Sequence, residues 1–216
     1  MASGLGYWEK NRVNGKIGSV RMRAGWLAIP MALALTGCFR QSQPDQFYML
    51  RPVAAPERAA FPGEGPLVGL GPIRIPAYLD RPQIVIAASG QEYRLSEAHR
   101  WAERLDENIA RVSAQNLSNL IPSDRILPHP WPREPKPDVQ VAVNIQEMHV
   151  DPAGRVRMTA LWTLRYGKSA SSNHKFTCQL PASLSDYAMM VEQQSQCLAR
   201  LNRDMAAAIK AAVPSG

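Results

Sequence analysis

The chain is poor in cysteine and lacks the short motifs that mark common enzyme sites. It has three cysteines and four histidines in 216 residues, and no HExxH, CxxC or GxSxG pattern occurs. None of the histidines has Cys, Asp or Glu at metal-ligand spacing, and we expect each to be solvated: His99, His129, His149 and His174. Gly69-Leu70-Gly71-Pro72 is too short for a phosphate loop. We therefore predict no enzyme activity, no catalytic residues, no metal and no cofactor.

The charge of the chain gives little support to a nucleic-acid partner. Five basic residues and one acid lie within residues 1–37, so the net charge of +7 for the whole chain falls to +3 for residues 38–216. The basic excess belongs mainly to the N-terminal leader, and the remainder lacks the strongly basic balance typical of nucleic-acid binding. Its length suits one domain with a sizeable core.

An apolar run at residues 24–35 is too short to cross a membrane. As a helix that rises about 1.5 Å per residue, it falls well short of a hydrocarbon layer of ~30 Å. The run follows Arg21 and Arg23 and ends in Leu35-Thr36-Gly37-Cys38. This order of basic, apolar and small residues is typical of a signal peptide, and the cysteine is typical of a lipoprotein. We predict cleavage before Cys38 and acylation of its thiol; the alternative is a buried helix that ends in an ordinary Gly-Cys.

These features divide the chain into three parts. Residues 1–37 are the predicted lipoprotein signal peptide, residues 38–46 a tether, and residues 47–213 the folded domain. Because a signal peptide normally starts close to its apolar segment, we expect translation to begin at Met22, with residues 1–21 outside the natural product. One acyl chain is a marginal anchor at ~0.8 kcal/mol per buried methylene, whereas the two or three chains of a lipoprotein, palmitate included, hold a protein firmly.

Two cysteines remain after the anchor, and export to an oxidising compartment makes Cys178 and Cys197 a candidate disulfide. Cys178 alternates with polar residues on the buried side of a predicted strand. Cys197 falls on the apolar stripe of the predicted helix that follows. The alternative is a pair of buried free thiols, which apolar surroundings readily accept. The sequence favours neither.

Apolar periodicity predicts an α+β fold, with two long helices on one face of a largely antiparallel sheet. The strands are expected at residues 47–50, 67–75, 84–88, 92–95, 139–145 and 156–166 and around Phe176. The helices are expected from Ser96 to Leu120 and from about Ser183, where Ser183 and Asp186 fit a capping box. Tight turns are expected at residues 89–91 and 151–154. Irregularities are expected at Gly71-Pro72 and near Gln146 or Glu147.

The segment Ile75-Pro76-Ala77-Tyr78-Leu79-Asp80-Arg81-Pro82-Gln83 is the most specific part of the sequence. Two prolines make it a poor partner for a sheet, and tyrosine, leucine and arginine suit interfaces. We predict that Tyr78, Leu79 and Arg81 contact another protein or another copy of the chain. The alternative is that Tyr78 and Leu79 cap the core while Arg81 pairs with Asp80 or a helix acid. We expect Trp101 in the core.

Several motifs together resemble the ABC-type transport auxiliary lipoproteins, the family of the PqiC-like, paraquat-inducible-operon lipoprotein. They are the glycine-proline strand, IPAYLDRPQIV, Trp101-Ala102-Glu103-Arg104-Leu105, a Leu-Trp strand and a terminal helix led by Asp-Tyr. The resemblance runs from about Phe47 to Ala212. The cysteine pair is a departure from it.

The resemblance implies a role beside an MCE-domain lipid transport system. The expected partners are a periplasmic MCE protein and its inner-membrane permease and ATPase, with the lipoprotein docking them to the outer membrane, singly or as a homo-oligomeric ring. In enteric bacteria an aspartate after the acylated cysteine retains lipoproteins in the inner membrane. Phe39 occupies that position here, which agrees with the expected outer-membrane location. The alternatives are a lipid carrier with a cavity between sheet and helices, an outer-membrane assembly lipoprotein, and an exported hydrolase with a dispersed site.

The lipoprotein hypothesis predicts the chemical state of the native N-terminus. Intact and peptide mass spectrometry of membrane-extracted protein should find acylated Cys38 as the first residue. A free Met1 together with unmodified Cys38 would contradict the prediction.

Overall fold

The structure is a computed structural model that describes residues 44–53, 65–121, 123, 125–167 and 170–213. Within these ranges the chain forms one eight-stranded sheet and two helices. The strands are β1 (Gln46–Tyr48), β2 (Val68–Arg74), β3 (Gln83–Ala87), β4 (Tyr93–Trp101), β5 (Ile126–Pro128), β6 (Val139–Val150), β7 (Arg155–Tyr166) and β8 (Ala170–Pro181). The helices are α1 (Leu105–Leu120) and α2 (Tyr187–Ala212).

The longest strands, β6, β7 and β8, form an antiparallel unit in chain order. The Asp151 carboxylate closes the turn between β6 and β7, where its Oδ1 accepts hydrogen bonds from the backbone N–H groups of Ala153 and Arg155 at 2.9 and 3.0 Å. A register shift between Ile145 and Glu147 confirms the predicted bulge. The hairpin at residues 151–154 is therefore as expected.

On the side away from β7, β6 pairs with two different strands. β2 pairs in parallel with residues 139–144, and β3 pairs in parallel at Val150 through Ile86. In the registers of the described strands, residues 145–149 have no partner on this edge, and we name this interval the β6 gap. Residues 75–82, the connection between β2 and β3, join the two strands on either side of it. A register shift between Leu70 and Ile73 confirms the irregularity predicted at Gly71-Pro72.

The remaining strands extend the sheet. β4 pairs antiparallel with β3, as the predicted tight turn required, and parallel with β1. β5 pairs in parallel with β2. The long strand pairings are antiparallel, whereas the short strand pairings are mostly parallel. The sheet is therefore mixed but largely antiparallel.

Both helices lie on one face of this sheet, α1 over β2 and β5 and α2 over β6, β7 and β8. Alternate residues of the long strands meet them in one apolar core: Val141, Val143, Ile145, Met158, Trp162, Ile109, Leu117, Met190, Leu198 and Met205. Burial of each large side chain contributes about 1.5–3 kcal/mol. The predicted α+β architecture is confirmed, and so is the burial of Trp101.

The first helix begins later than its sequence suggests. Ser96 does accept the His99 backbone N–H at 3.1 Å, the bond that an N-cap makes, but the chain continues as β4 to Trp101. The Trp101 N–H donates to the Pro82 carbonyl at 2.7 Å, and the Ala102 N–H donates to the Tyr48 carbonyl at 2.9 Å. Hydrogen bonds to chain segments on both sides therefore override local helical periodicity, and the prediction of a helix from Ser96 is wrong.

The second helix is capped by a different residue than predicted. Asp186 is the N-cap of α2, and its Oδ1 accepts the Met189 backbone N–H at 2.9 Å. Ser183 lies outside the helix and contacts the Ser185 hydroxyl at 3.1 Å. The capping box at Ser183 is therefore wrong, because a carboxylate nearer the helix satisfies the first turn.

Cys178 of β8 and Cys197 of α2 are joined by a disulfide, with their Cα atoms 5.7 Å apart. Both residues belong to the buried core. The bridge ties the last strand of the sheet to the helix that covers it.

The buried amide of Asn108 holds the N-terminal segment against α1. Its Oδ1 accepts the Leu50 backbone N–H at 2.7 Å, and its Nδ2 donates to the Leu50 carbonyl at 3.4 Å. The next backbone N–H, that of Arg51, donates to the Ser195 hydroxyl of α2 at 3.2 Å. The point at which the chain enters the domain is thus fixed to both helices.

The disulfide predicts a thiol content and a loss of stability. We expect no free thiol from Cys178 or Cys197 in an Ellman assay of the denatured, unreduced protein. Because the bridge closes a sequence separation of 19 residues, changing both cysteines to serine should lower the free energy of unfolding by about 3 kcal/mol. Two titratable thiols, or an unchanged urea midpoint, would contradict the bridge.

Candidate functional site

The connection at residues 75–82 forms a compact turn between β2 and β3. The Leu79 N–H donates to the Pro76 carbonyl at 2.9 Å, and the Arg81 N–H donates to the Leu79 carbonyl at 2.8 Å. Leu79 is only 2% exposed and packs in the core. The prediction that Leu79 contacts a partner is therefore wrong, since its side chain completes the fold.

Tyr78 lies against the β6 gap, where it replaces a strand partner. Its hydroxyl lies 3.3 Å from Nδ1 of His149, a residue of the gap. Burial raises the pKa of Tyr78 to about 12, so the phenol stays protonated at ordinary pH. The side chain is half-buried, with one part in the fold and one part available outside it.

Three aromatic rings form what we name the Tyr78 cluster: Tyr78, Tyr93 and His149. The Tyr78 and Tyr93 ring centroids are 5.0 Å apart, and Tyr93 meets His149 edge-on at 5.4 Å. Tyr93 remains 43% exposed and is the outermost ring. The cluster presents an exposed tyrosine on a rigid aromatic base, an arrangement that suits protein contacts.

His149 is the buried member of this cluster, at 5% exposure. Its burial lowers the pKa of the imidazole, Arg157 adds to this lowering, and Glu147 and Asp151 oppose it. The expectation that His149 is solvated is wrong, because Tyr78 and Tyr93 cover it. No sequence signal marked this histidine, since the residues that bury it are distant in the chain.

Arg81 has a buried donor without an acceptor. Its Nε finds no hydrogen-bond partner among the residues that the structure describes. Asp80 does not pair with it, and the Asp80 carboxylate lies 3.9 Å from Arg104 instead. Local pairing with Asp80, the alternative considered from sequence, is therefore wrong. An unsatisfied buried donor costs about 1–3 kcal/mol.

The face of the sheet opposite the helices carries an open groove of about 610 Å³. Four exposed residues on this face occupy paired positions on the neighbouring strands β2, β6, β7 and β8: Arg74, Asn144, Leu161 and Lys175. In the part of the chain that the structure describes, neither Arg74 nor Lys175 has a carboxylate within 4.0 Å. The groove is open to solvent and mostly apolar in its lining, with two cationic side chains, Arg74 and Lys175.

A second aromatic cluster lies where β1 meets the start of α2. His99 stacks on Tyr187 with ring centroids 3.7 Å apart, and the Tyr48 hydroxyl lies 2.9 Å from His99 Nδ1. Burial, with Asp186 nearby, raises the pKa of Tyr48. His99 was expected on the polar side of a helix, whereas it lies on the helix-covered face of β4.

The described residues include no group of three or more His, Cys, Asp and Glu side chains placed to hold a metal ion. Nor does either described helix combine the length and apolarity needed to cross a membrane.

Comparison with known proteins places the chain in a family. The family model for the ABC-type transport auxiliary lipoprotein component matches residues 48–206. The chain belongs to this family. The match covers β2 to β8, all of α1, most of α2 and both aromatic clusters, so the family predicted from the motifs is confirmed. No curated protein matches.

Solved structures share the fold. One, titled as the crystal structure of an uncharacterized protein, aligns with a TM-score of 0.64 at 21% identity, covering 77% of this chain and 99% of its own. Another, a Xanthomonas campestris protein described as DUF330, has a TM-score of 0.60 at 16% identity, covering 74% of this chain and 92% of its own. At these identities the likeness shows the architecture alone.

Burial of His149 predicts a pH-dependent stability. Because the folded state disfavours the imidazolium, its pKa lies below the ordinary 6.5, and its contribution to stability is full above that value and is lost as the pH falls through the folded pKa. The loss is at most about 1.4 kcal/mol per pH unit. Urea unfolding at pH 7.5 and 5.5 should show a smaller decrease for His149→Phe than for the wild type. Equal decreases would contradict the assignment.

Proposed function

We propose that the chain is the lipid-anchored outer-membrane component of an intermembrane lipid transport system. It docks a periplasmic MCE-domain assembly, which works with a permease and an ATPase, and it acts without catalysis, singly or as a ring of copies. The observation that carries this is the match to the transport auxiliary lipoprotein family over residues 48–206.

The position of the first strand supports an anchor at Cys38. β1 begins at Gln46, eight residues after Cys38, and Asn108 and Ser195 hold the segment that follows it. The tether is therefore short and ends on a fixed part of the fold. A lipid group on Cys38 would keep this end of the domain beside the bilayer.

The Tyr78 cluster and Arg81 are the proposed docking surface. Tyr93 provides an exposed aromatic ring, and Arg81 is a partly exposed arginine in the same connection as Tyr78. Aromatic and arginine side chains are the residue types that carry most binding energy at interfaces. Tyr93 also lies on β4, the strand whose residues 99–101 pair with β1, and β4 bulges between Leu95 and Arg100 where it follows β3. One strand thus connects the anchored end with the docking surface.

The carrier alternative has weaker support. Between sheet and helices the methionines Met190 and Met205 are fully buried among other core side chains. The described groove lies on the opposite face and is open to solvent rather than enclosed. An acyl chain needs an enclosed apolar cavity, which the groove does not provide. A docking role therefore fits the geometry better.

A pull-down with an MCE-protein bait tests the docking surface. Tyr93→Ser and Arg81→Ala should each lower capture from detergent extract by about tenfold, as expected for loss of an interface anchor. Leu161→Ser is the matched control, because Leu161 is also 43% exposed but lies in the groove. Circular dichroism melting should confirm that all variants fold.

Two outcomes would count against the proposal. Equal capture of the folded variants and the wild type would remove this docking surface. Bound phospholipid, released on denaturation in native mass spectrometry, would favour the carrier.

A further inference from the structure

The strand β8 leaves one of its two edges open. Among the described strands it pairs with β7 alone, through twelve residue pairs without a register shift. The strands that end the sheet elsewhere, β1 and β5, have three residues each. Proteins usually keep exposed edge strands short, bulged or charged, because an open edge pairs readily with another strand. The length and regularity of β8 give it none of the first two protections.

The composition of β8 protects its edge equally little. Lys175 is the only lysine, arginine or acid among its residues, and its one proline, Pro181, is the last residue of the strand. A charge or a proline in the middle of a strand discourages pairing with a further strand. The edge is therefore open to pairing over almost its whole length.

One hydrogen bond shows which backbone groups of β8 face this open edge. The Ala182 N–H donates to the Gly154 carbonyl at 2.7 Å, one position beyond the pair of Arg155 with Pro181. Because the direction of the backbone groups alternates along a strand, the even-numbered residues of β8 bond to β7. The odd-numbered residues face away from β7 and are exposed: Ser171, Asn173, Lys175, Thr177, Gln179 and Pro181. No hydrogen bond joins their backbone to another described segment.

The β8 of a second copy fits this edge in one register. Two identical strands pair antiparallel around a two-fold axis, with odd-numbered residues opposite odd-numbered residues. An axis at Phe176 lets residues 171–181 overlap completely and places Lys175 opposite Thr177 of the partner subunit. Phe176 then lies opposite its own copy, and aromatic pairs across strands are favourable. An axis at Lys175 would place two like charges opposite each other, which destabilises a strand pair.

The number of hydrogen bonds in this register suits a stable interface. Five of the six odd-numbered residues carry an N–H, since Pro181 has none. Two copies together would therefore form about ten backbone hydrogen bonds. Stable protein interfaces carry about the same number. The exposed side chains that come to lie opposite each other are mostly uncharged and polar, so pairing leaves no ion without its solvent.

We infer that the open edge of β8 is a homodimer interface at which two copies pair antiparallel and join their sheets into one. The helices of both copies then lie on the same face of the joined sheet. This inference goes beyond the proposed function, and it depends neither on the acylation of Cys38 nor on the docking surface at the Tyr78 cluster.

Pulsed electron paramagnetic resonance of the full chain in detergent tests the register. Nitroxide labels are attached in separate samples at Ser171→Cys and Gln179→Cys, two exposed positions that face the open edge. At about 3.4 Å per residue, the two copies of position 179 should lie about 20 Å apart and those of position 171 about 34 Å apart. The longer distance belongs to position 171 because it is farther along the strand from the two-fold axis.

Sedimentation equilibrium of the full chain in density-matched detergent measures the strength of pairing. Thr177→Pro removes an outward N–H from each copy and none that faces β7, so the dimer dissociation constant should rise by at least about tenfold. Thr177→Ala is the matched control, because it keeps the N–H, and its constant should stay close to that of the wild type. Asn173→Pro removes an equivalent N–H, and circular dichroism melting shows which variants fold.

Three outcomes would overturn the inference. A wild type that stays monomeric at every concentration, or folded proline variants with unchanged dissociation constants, would remove the pairing. Label distances other than those expected would show that the copies meet at another surface. A label at position 171 that is immobilised only when an MCE-protein bait is added would make a strand of that partner the occupant.

Discussion

The buried amide of Asn108 is the constraint on which the geometry of the domain depends. By bonding both backbone groups of Leu50, it fixes where the chain enters the fold, and hence the pairing of β1 with β4. Loss of the amide would leave buried backbone groups unpaired, at about 1–3 kcal/mol for each. Through β4 the same constraint reaches the Tyr78 cluster. The point at which the chain enters the fold and the Tyr78 cluster are therefore joined by one strand.

Much of the fold was predictable because apolar and polar residues alternate regularly along its long strands. Alternation in β6 and β7 located the central hairpin, its turn and the bulge near Glu147. Prediction failed at β4, where the spacing of Ala98 and Trp101 fits a helix as well as a strand. Pairing with β3 and β1 decided between them, and such long-range pairing leaves no local signal. The family, in contrast, followed from the order of motifs along the whole chain.

The candidate site was predictable only in part. Composition and the flanking prolines pointed to residues 75–82, but could not distinguish Leu79, which turns into the core, from its neighbours. Tyr93 and His149 were missed because the sheet brings them to Tyr78 from distant positions in the sequence. The unpaired Nε of Arg81 is likewise visible only in three dimensions. Residue types identified the segment, whereas its surroundings determine which side chains are available.

The shared edge of β6 bears on how such a domain tolerates insertions. β2 and β3 are each held by their own register on β6, so the length of the connection between them does not set either pairing. Loops at fixed ends accept added or deleted residues at a low entropic cost. Residues added to this connection would therefore leave the pairings of β2 and β3 with β6 in place and displace only the side chains that the connection itself carries, Tyr78 and Leu79 among them.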